Sequence, residues 1–208
     1  MGSIISYPSV FSFGNLSGKK IIVAGLNPST VEYKEKYLTD NLDINKRYLK
    51  QLNYFQNIYY KRYFKKIESF FEGEIRKLLE WKRNPWEKVG FLDLVKCPTK
   101  YKKGQWSNFK YNNKKLAKLV INNCKRYLFR QIEMYKPKIL IPYGKDVCDW
   151  FAKTYNISYK KFDVKKININ NNNIYMLFLY QTRAQAHSQE DIIKTQNKLR
   201  LILNKLDF

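Results

Sequence analysis

The sequence predicts an α/β fold: a three-layer α/β/α sandwich around a central, mostly parallel sheet of four to five strands. Short runs of consecutive apolar residues, such as Ile21-Ile22-Val23-Ala24 and Ile139-Leu140-Ile141, read as strands covered on both faces. Segments with helical apolar spacing lie between them, and that alternation is the pattern of a parallel sheet flanked by helices. Four runs also empty into polar or glycine-containing loops, at 25–30, 93–100, 142–146 and 181–188. Such strand ends are the usual setting of a site in an open α/β sheet.

A length of 208 residues suits one domain, residues 1–208, with 1–18 as a partly ordered lead-in in which Gly14 and Gly18 break any regular element. Forty Lys and Arg against 17 Asp and Glu give a formal net charge of +23, which argues for a polyanionic partner. The 17 Tyr and 13 Phe are interleaved with these cations, as suits nucleic acid, where rings stack on bases and cations meet phosphates. A general richness in Lys, Asn, Ile and Tyr is the competing explanation, and an anionic membrane surface fits less well. No apolar run approaches the length that spans a bilayer and the N-terminus lacks a signal pattern, so an intracellular protein is expected. Cys97, Cys124 and Cys148 are odd in number and far apart, which argues against a disulfide framework. With one His in the chain, a Cys/His zinc site is not expected either.

In chain order, the strand at 21–24 stops on Gly25-Leu26-Asn27-Pro28-Ser29-Thr30. Gly25 permits a turn or a close approach to the backbone, Pro28 forbids further pairing, and Ser29 or Thr30 is a candidate cap for a following helix. An ordinary strand-to-helix turn explains the same residues. Residues 59–71 carry apolar side chains at helical spacing, and their aromatic stripe reads as core ahead of ligand platform. A short helix over 74–82 ends at Asn84-Pro85, and 89–96 is a second buried strand stopped by Cys97-Pro98. Asp93 inside that run is costly to bury without a partner, so it marks either a salt bridge or a site.

A basic loop at 100–115 precedes an amphipathic helix over 116–135, and 136–151 reads as strand, glycine turn and helix again. The amides at Gly144-Lys145 and the helix start behind them form a candidate phosphate seat. Two alternating runs, 160–169 and 174–180, flank Asn170 to Asn173 as a hairpin. The polar loop from Gln181 leads to a last helix ending near Leu206, with Ser188 and Asp191 at capping-box spacing.

This order of motifs resembles the uracil-DNA glycosylase superfamily from Lys19 onward. Gly25-Leu26-Asn27-Pro28-Ser29 is similar to the Asn-containing first motif of the mismatch-specific, thymine and single-strand-selective branches. Leu94-Val95-Lys96-Cys97-Pro98, the segment Cys124 to Ile132 and the segment Lys136 to Gly144 look instead like the iron–sulfur, family 4 type branch. There are two departures. That branch holds a [4Fe–4S] cluster on four cysteines, whereas here only Cys97 and Cys124 stand at ligand positions and residues 1–30 contain no Cys. No cluster, other cofactor or metal is therefore expected. Many relatives also begin their last motif with His-Pro-Ser, where this chain has Gln181-Thr182-Arg183 and its sole histidine six residues later, at His187.

The resemblance implies hydrolysis of the N-glycosidic bond of a base flipped out of DNA; DNA is the expected partner of a monomer, with no membrane and no small-molecule cofactor. Asn27, Gln181 and His187 are then the catalytic candidates, with Asn27 orienting water and the other two, or backbone amides, supporting the leaving base. His187 is alternatively a DNA-contacting loop residue. Gly25, Leu26, Tyr37 and Asp93 are the base-binding candidates, and Ser29, Lys96, Gly144, Lys145, Arg183 and Ser188 the DNA-binding ones. Asp93 stands where the family 4 type branch has an Asn that reads uracil. An ionised carboxylate only accepts hydrogen bonds, which suits the amino group of a cytosine-like base better than uracil O4. A protonated or Lys-paired Asp93 would remove that preference. A glycosylase-like DNA-binding protein without catalysis is the alternative from another class.

Overall fold

The computed structural model describes residues 3–4, 12–14, 21–26, 64–94, 99–100, 110–111, 113–180 and 187–206. Eight strands are described: β1 Ser3–Ile4, β2 Ser12–Gly14, β3 Ile21–Gly25, β4 Val89–Asp93, β5 Thr99–Lys100, β6 Ile139–Pro142, β7 Val164–Ile169 and β8 Asn172–Leu177. The helices are α1 Phe64–Glu68, α2 Glu74–Leu79, α3 Lys114–Tyr135, α4 Lys145–Thr154 and α5 Gln189–Leu203, with 3-10 turns at Ser69–Phe71 and Pro85–Glu87. Together they form an α/β sandwich, as the alternation of runs predicts. Contacts divide the chain into two compact units, one of Ser12–Leu26, Lys65–Leu92 and Arg130–Phe208, the other of Met1–Phe11, Asn27–Phe64 and Asp93–Phe129.

The main sheet has six strands in the order β2-β4-β3-β6-β8-β7. Its centre is parallel, with β3 against β6 and β6 against β8, while β7 joins β8 and β2 joins β4 in antiparallel pairs. Central β3, β4 and β6 are buried along their whole length, which is why they read as apolar runs, broken in β4 only by Asp93 at its end. Edge β7 instead alternates, burying Ile167 and Ile169 between exposed Lys166 and Asn168.

The sheet has more strands than expected because of β2. Gly14 does not break regular structure: it lies in β2 opposite Gly90 of β4. Three residues around a glycine carry too little periodicity to announce a strand. The helix expected over 59–71 is α1 followed by a 3-10 turn, and residues 59–63 lie outside the described residues. The helix expected to reach residue 82 ends at Leu79, because Glu80 turns left-handed at φ 53° and Trp81 anchors its indole N–H on the Phe71 carbonyl at 3.1 Å. Asn84 does not only end a helix; its side chain accepts from the Trp86 amide at 3.1 Å and starts the 3-10 turn at Pro85.

The hairpin turn is tighter than expected. Ile169 pairs with Asn172, leaving only Asn170 and Asn171, both at positive φ (48° and 64°). Two left-handed residues match the twist of the strands, and Asn tolerates that region better than other L residues. In α3 the buried residues Ala117, Val120, Cys124, Leu128 and Ile132 recur every three to four positions, while Lys115, Lys118, Lys125 and Arg126 are exposed. Its last turn closes through the Lys136 amide on the Ile132 carbonyl at 2.8 Å, with Lys136 left-handed at φ 45°. Among the described residues no helix is long and apolar enough to cross a membrane.

Candidate active site

Three parallel strands end side by side and are bonded to one another just past their last residues. The Tyr143 amide donates to the Ala24 carbonyl at 2.8 Å, the Leu179 amide to Pro142 at 3.0 Å and the Gly144 amide to Leu179 at 2.8 Å. Gly25-Leu26 after β3, Tyr143-Gly144 after β6 and Leu179-Tyr180 after β8 therefore form one row at the carboxyl edge of the sheet. That edge is where open α/β sheets bind ligands. Gly25 is buried and Leu26 partly exposed.

Gly144 adopts φ 101° and ψ 145°, open only to glycine at ordinary cost, while a Cβ there would meet nothing within 4 Å. The glycine is thus needed for the turn, and the space above it stays open. It begins α4 without a side-chain cap. Lys145, the first residue of α4, turns its ammonium back onto Asp149 at 2.8 and 2.9 Å. That hydrogen bond holds the lysine above its ordinary pKa. Asp149 also accepts from the Tyr159 hydroxyl at 2.5 Å; Tyr159 in turn stacks on Phe178 and meets Tyr180 edge-on. Burial, then the Asp149 bond, pushes the Tyr159 phenol well above its usual range.

At the start of α5 the chain brings in His187. Its Nε2 lies 2.7 Å from the Tyr143 hydroxyl, and its ring packs edge-on against Phe70 at 4.3 Å between centroids. Burial above all, opposed by Asp191 and helped by the positive Lys161 and Lys66, lowers the histidine pKa to about 4. The ring is therefore neutral at pH 7. Burial also raises the Tyr143 phenol far beyond its usual range, so it keeps its proton. Next to His187, Ser188 Oγ accepts from the Asp191 amide at 3.1 Å, the cap that the spacing predicts. The Asp191 carboxylate meanwhile binds Lys161 at 2.7 Å.

The model of the family described as the uracil DNA glycosylase superfamily matches residues 11–207. The chain belongs to that superfamily. None of the curated proteins matches this sequence significantly. The match begins at residue 11 and so takes in β2, which the sequence reading assigned to the lead-in. Membership implies a hydrolase of the DNA glycosylase class, associated with base excision and with DNA as its substrate, a partner that the net charge of +23 suits.

The cysteines do not fit the iron–sulfur branch of the superfamily. Three cannot supply a Cys₄ set; of these, Cys124 belongs to the buried stripe of α3 and Cys148 directs its thiol to the Pro142 and Leu179 carbonyls at 3.3 and 3.5 Å. Burial raises the Cys148 thiol far above its usual range, which keeps it protonated and a poor metal ligand. Among the described residues no group of three His, Cys, Asp or Glu could hold a metal ion.

Asp93 is the last residue of β4 and is buried, at 7 % exposure. Asn27, Ser29, Tyr37, Lys96, Cys97, Gln181 and Arg183 lie outside the described residues. The residues flanking two of them, Leu26 and Tyr180, belong to the row of strand ends above. Sequence reasoning passed over Tyr143 and Phe70. Tyr143 carried one signal, as a polar-tipped ring directly before the turn glycine, whereas Phe70 looked like any other member of an aromatic stripe.

Proposed function

We propose that the chain is a monofunctional, catalytically active DNA glycosylase that takes a flipped-out cytosine-like or modified base. What supports this reading most is the adjacency of the β3, β6 and β8 ends, since these strands hand the chain on to Asn27, Gly144 and Gln181. In the proposed reaction the C1′–N bond breaks with its electron pair going to the base, and a water oxygen bonds to the cation-like C1′. The Asn27 side-chain oxygen accepts a hydrogen bond from that water and aims it. An amide is a weak base, so orientation and electrostatics carry the rate. Gln181 and the neutral ring of His187 are donors for the charge that grows on the leaving base.

Gly25, Leu26 and Tyr37 wall the base, and Asp93 accepts from its exocyclic amino group. Ser29, Lys96, Gly144, Lys145, Arg183 and Ser188 hold the phosphates, which position the strand without reading it. The protein works as an intracellular monomer.

The test is base release from duplexes carrying uracil, hypoxanthine, 5-hydroxymethylcytosine or its glucosylated form, read as alkali-sensitive breaks, for wild type beside Asn27→Ala. Release of a cytosine-type base, lost in Asn27→Ala, is the expected result. Release of uracil alone sinks the role given to Asp93. Intact DNA binding with no release from any duplex would identify a binding protein, as the Gln181-Thr182-Arg183 departure in the last motif would then suggest.

A further inference from the structure

We propose that Tyr143 is the positioning residue of His187: its phenol O–H donates to Nε2, so the ring proton sits on Nδ1 and points that nitrogen at the substrate as a donor. This rests on the reading of His187 as a donor to the leaving base, and adds the group that sets its tautomer and direction.

Three observations carry it. A neutral imidazole has one donor and one acceptor nitrogen, and facing a phenol the ring nitrogen is the stronger base and the O–H the stronger acid, so the O–H donates and that nitrogen accepts. Here the engaged nitrogen is Nε2, 2.7 Å from the Tyr143 oxygen, and among the described residues this is the hydrogen bond that His187 makes. The ring is also held sideways, edge-on to Phe70 at 4.3 Å, so it has little freedom to flip. Finally, both partners sit on anchored backbone: Tyr143 donates its amide to Ala24 and is followed by Gly144, bonded to Leu179, while His187 is followed by the Ser188 cap. The pair is thus a brace between the turns that follow β6 and β8. The charged groups felt by the ring are Lys161 and Lys66, which disfavour a cation, and Asp191, which favours it. A protonated ring would have two donors and no acceptor, and could not receive the phenol proton.

The chain has a single histidine, so the ¹⁵N-labelled full-length protein gives one unambiguous set of ring-nitrogen signals. The expected wild-type pattern at neutral pH is protonated Nδ1 with bare Nε2. Tyr143→Phe keeps the ring that packs near Phe70 but removes the O–H. It should shift the tautomer towards protonated Nε2 and slow single-turnover base release by about tenfold to a hundredfold, with DNA affinity unchanged. A wild-type ring protonated on Nε2 overturns the proposal without any need for the variant. So does a Tyr143→Phe protein that loses melting temperature while its tautomer and release rate stay as in wild type. If wild type releases no base at all, the functional reading fails on its own and the nitrogen signals still decide the tautomer.

Discussion

The turns that open α4 and α5 do the same topological job in opposite ways. Each follows a strand of the parallel centre and starts a helix. At α5 the free amides are answered from within: Ser188 caps the Asp191 amide, and Glu190 and Asp191 put negative charge in the first turn. At α4 the turn is made by a glycine at φ 101° with no side-chain cap, open space where a Cβ would be, a cation as first residue and a single acid, Asp146, in the first turn. One helix start is thus closed by a side chain of its own, and the other has no side-chain cap. The same helix dipole becomes a cap or a seat according to one or two side chains. An anion such as a phosphate is therefore expected at Gly144-Lys145 ahead of Ser188.

The contrast is broken most severely at Gly144. Gly144→Ala should cost about 1–3 kcal/mol through backbone strain alone, because the space is open. Chemical denaturation measures that cost, and a cost near zero would mean that the turn does not need its glycine. Ser188→Ala should cost about 1 kcal/mol and leave the salt dependence of DNA binding as it was.

An effect comparable to the cap is expected from acid, at the residue before Ser188. The folded-state pKa of His187, about 4, lies below its ordinary 6.5, so the unfolded chain takes up the proton first as pH falls. Its contribution to stability is lost between about pH 6.5 and 4 and levels off below that, and partial exposure keeps it modest. Melting temperatures of wild type and His187→Phe across that window should converge as pH falls. Glu68 works in the other direction: burial raises its pKa to about 7, so Glu68→Gln should stabilise the protein at pH 8 and change little at pH 4. The smallest effect sharpens the contrast instead of breaking it. Lys145→Ala removes an exposed pair with Asp149 worth about 0.3–0.5 kcal/mol, yet it should lower the salt slope of DNA binding by about 0.9 if that lysine meets a phosphate.

What was legible in the sequence followed from burial. β3, β4 and β6 announced themselves because a strand covered on both faces must be largely apolar, Asp93 at the end of β4 being the exception, and α3 because one stripe of it is buried. The glycine turn of α4 and the Ser188 cap were legible too, since both depend on residues within three positions of each other. β2 was not, because its pairing with β4 rests on backbone bonds that leave no pattern in three residues. The brace between Tyr143 and His187 was hidden for a related reason: it joins side chains 44 positions apart, and neither has a periodicity that points to the other. Only the folding of β6 and β8 into one sheet brings them together.

The rim of that sheet bears on what can pair with it. Its outermost strands are β2, three residues long, and β7, which carries Lys165 and Lys166. A second copy trying to extend the sheet along β7 would have to bring its own lysines against these. Like charge along β7 thus makes that border of the sheet a poor template for a second chain.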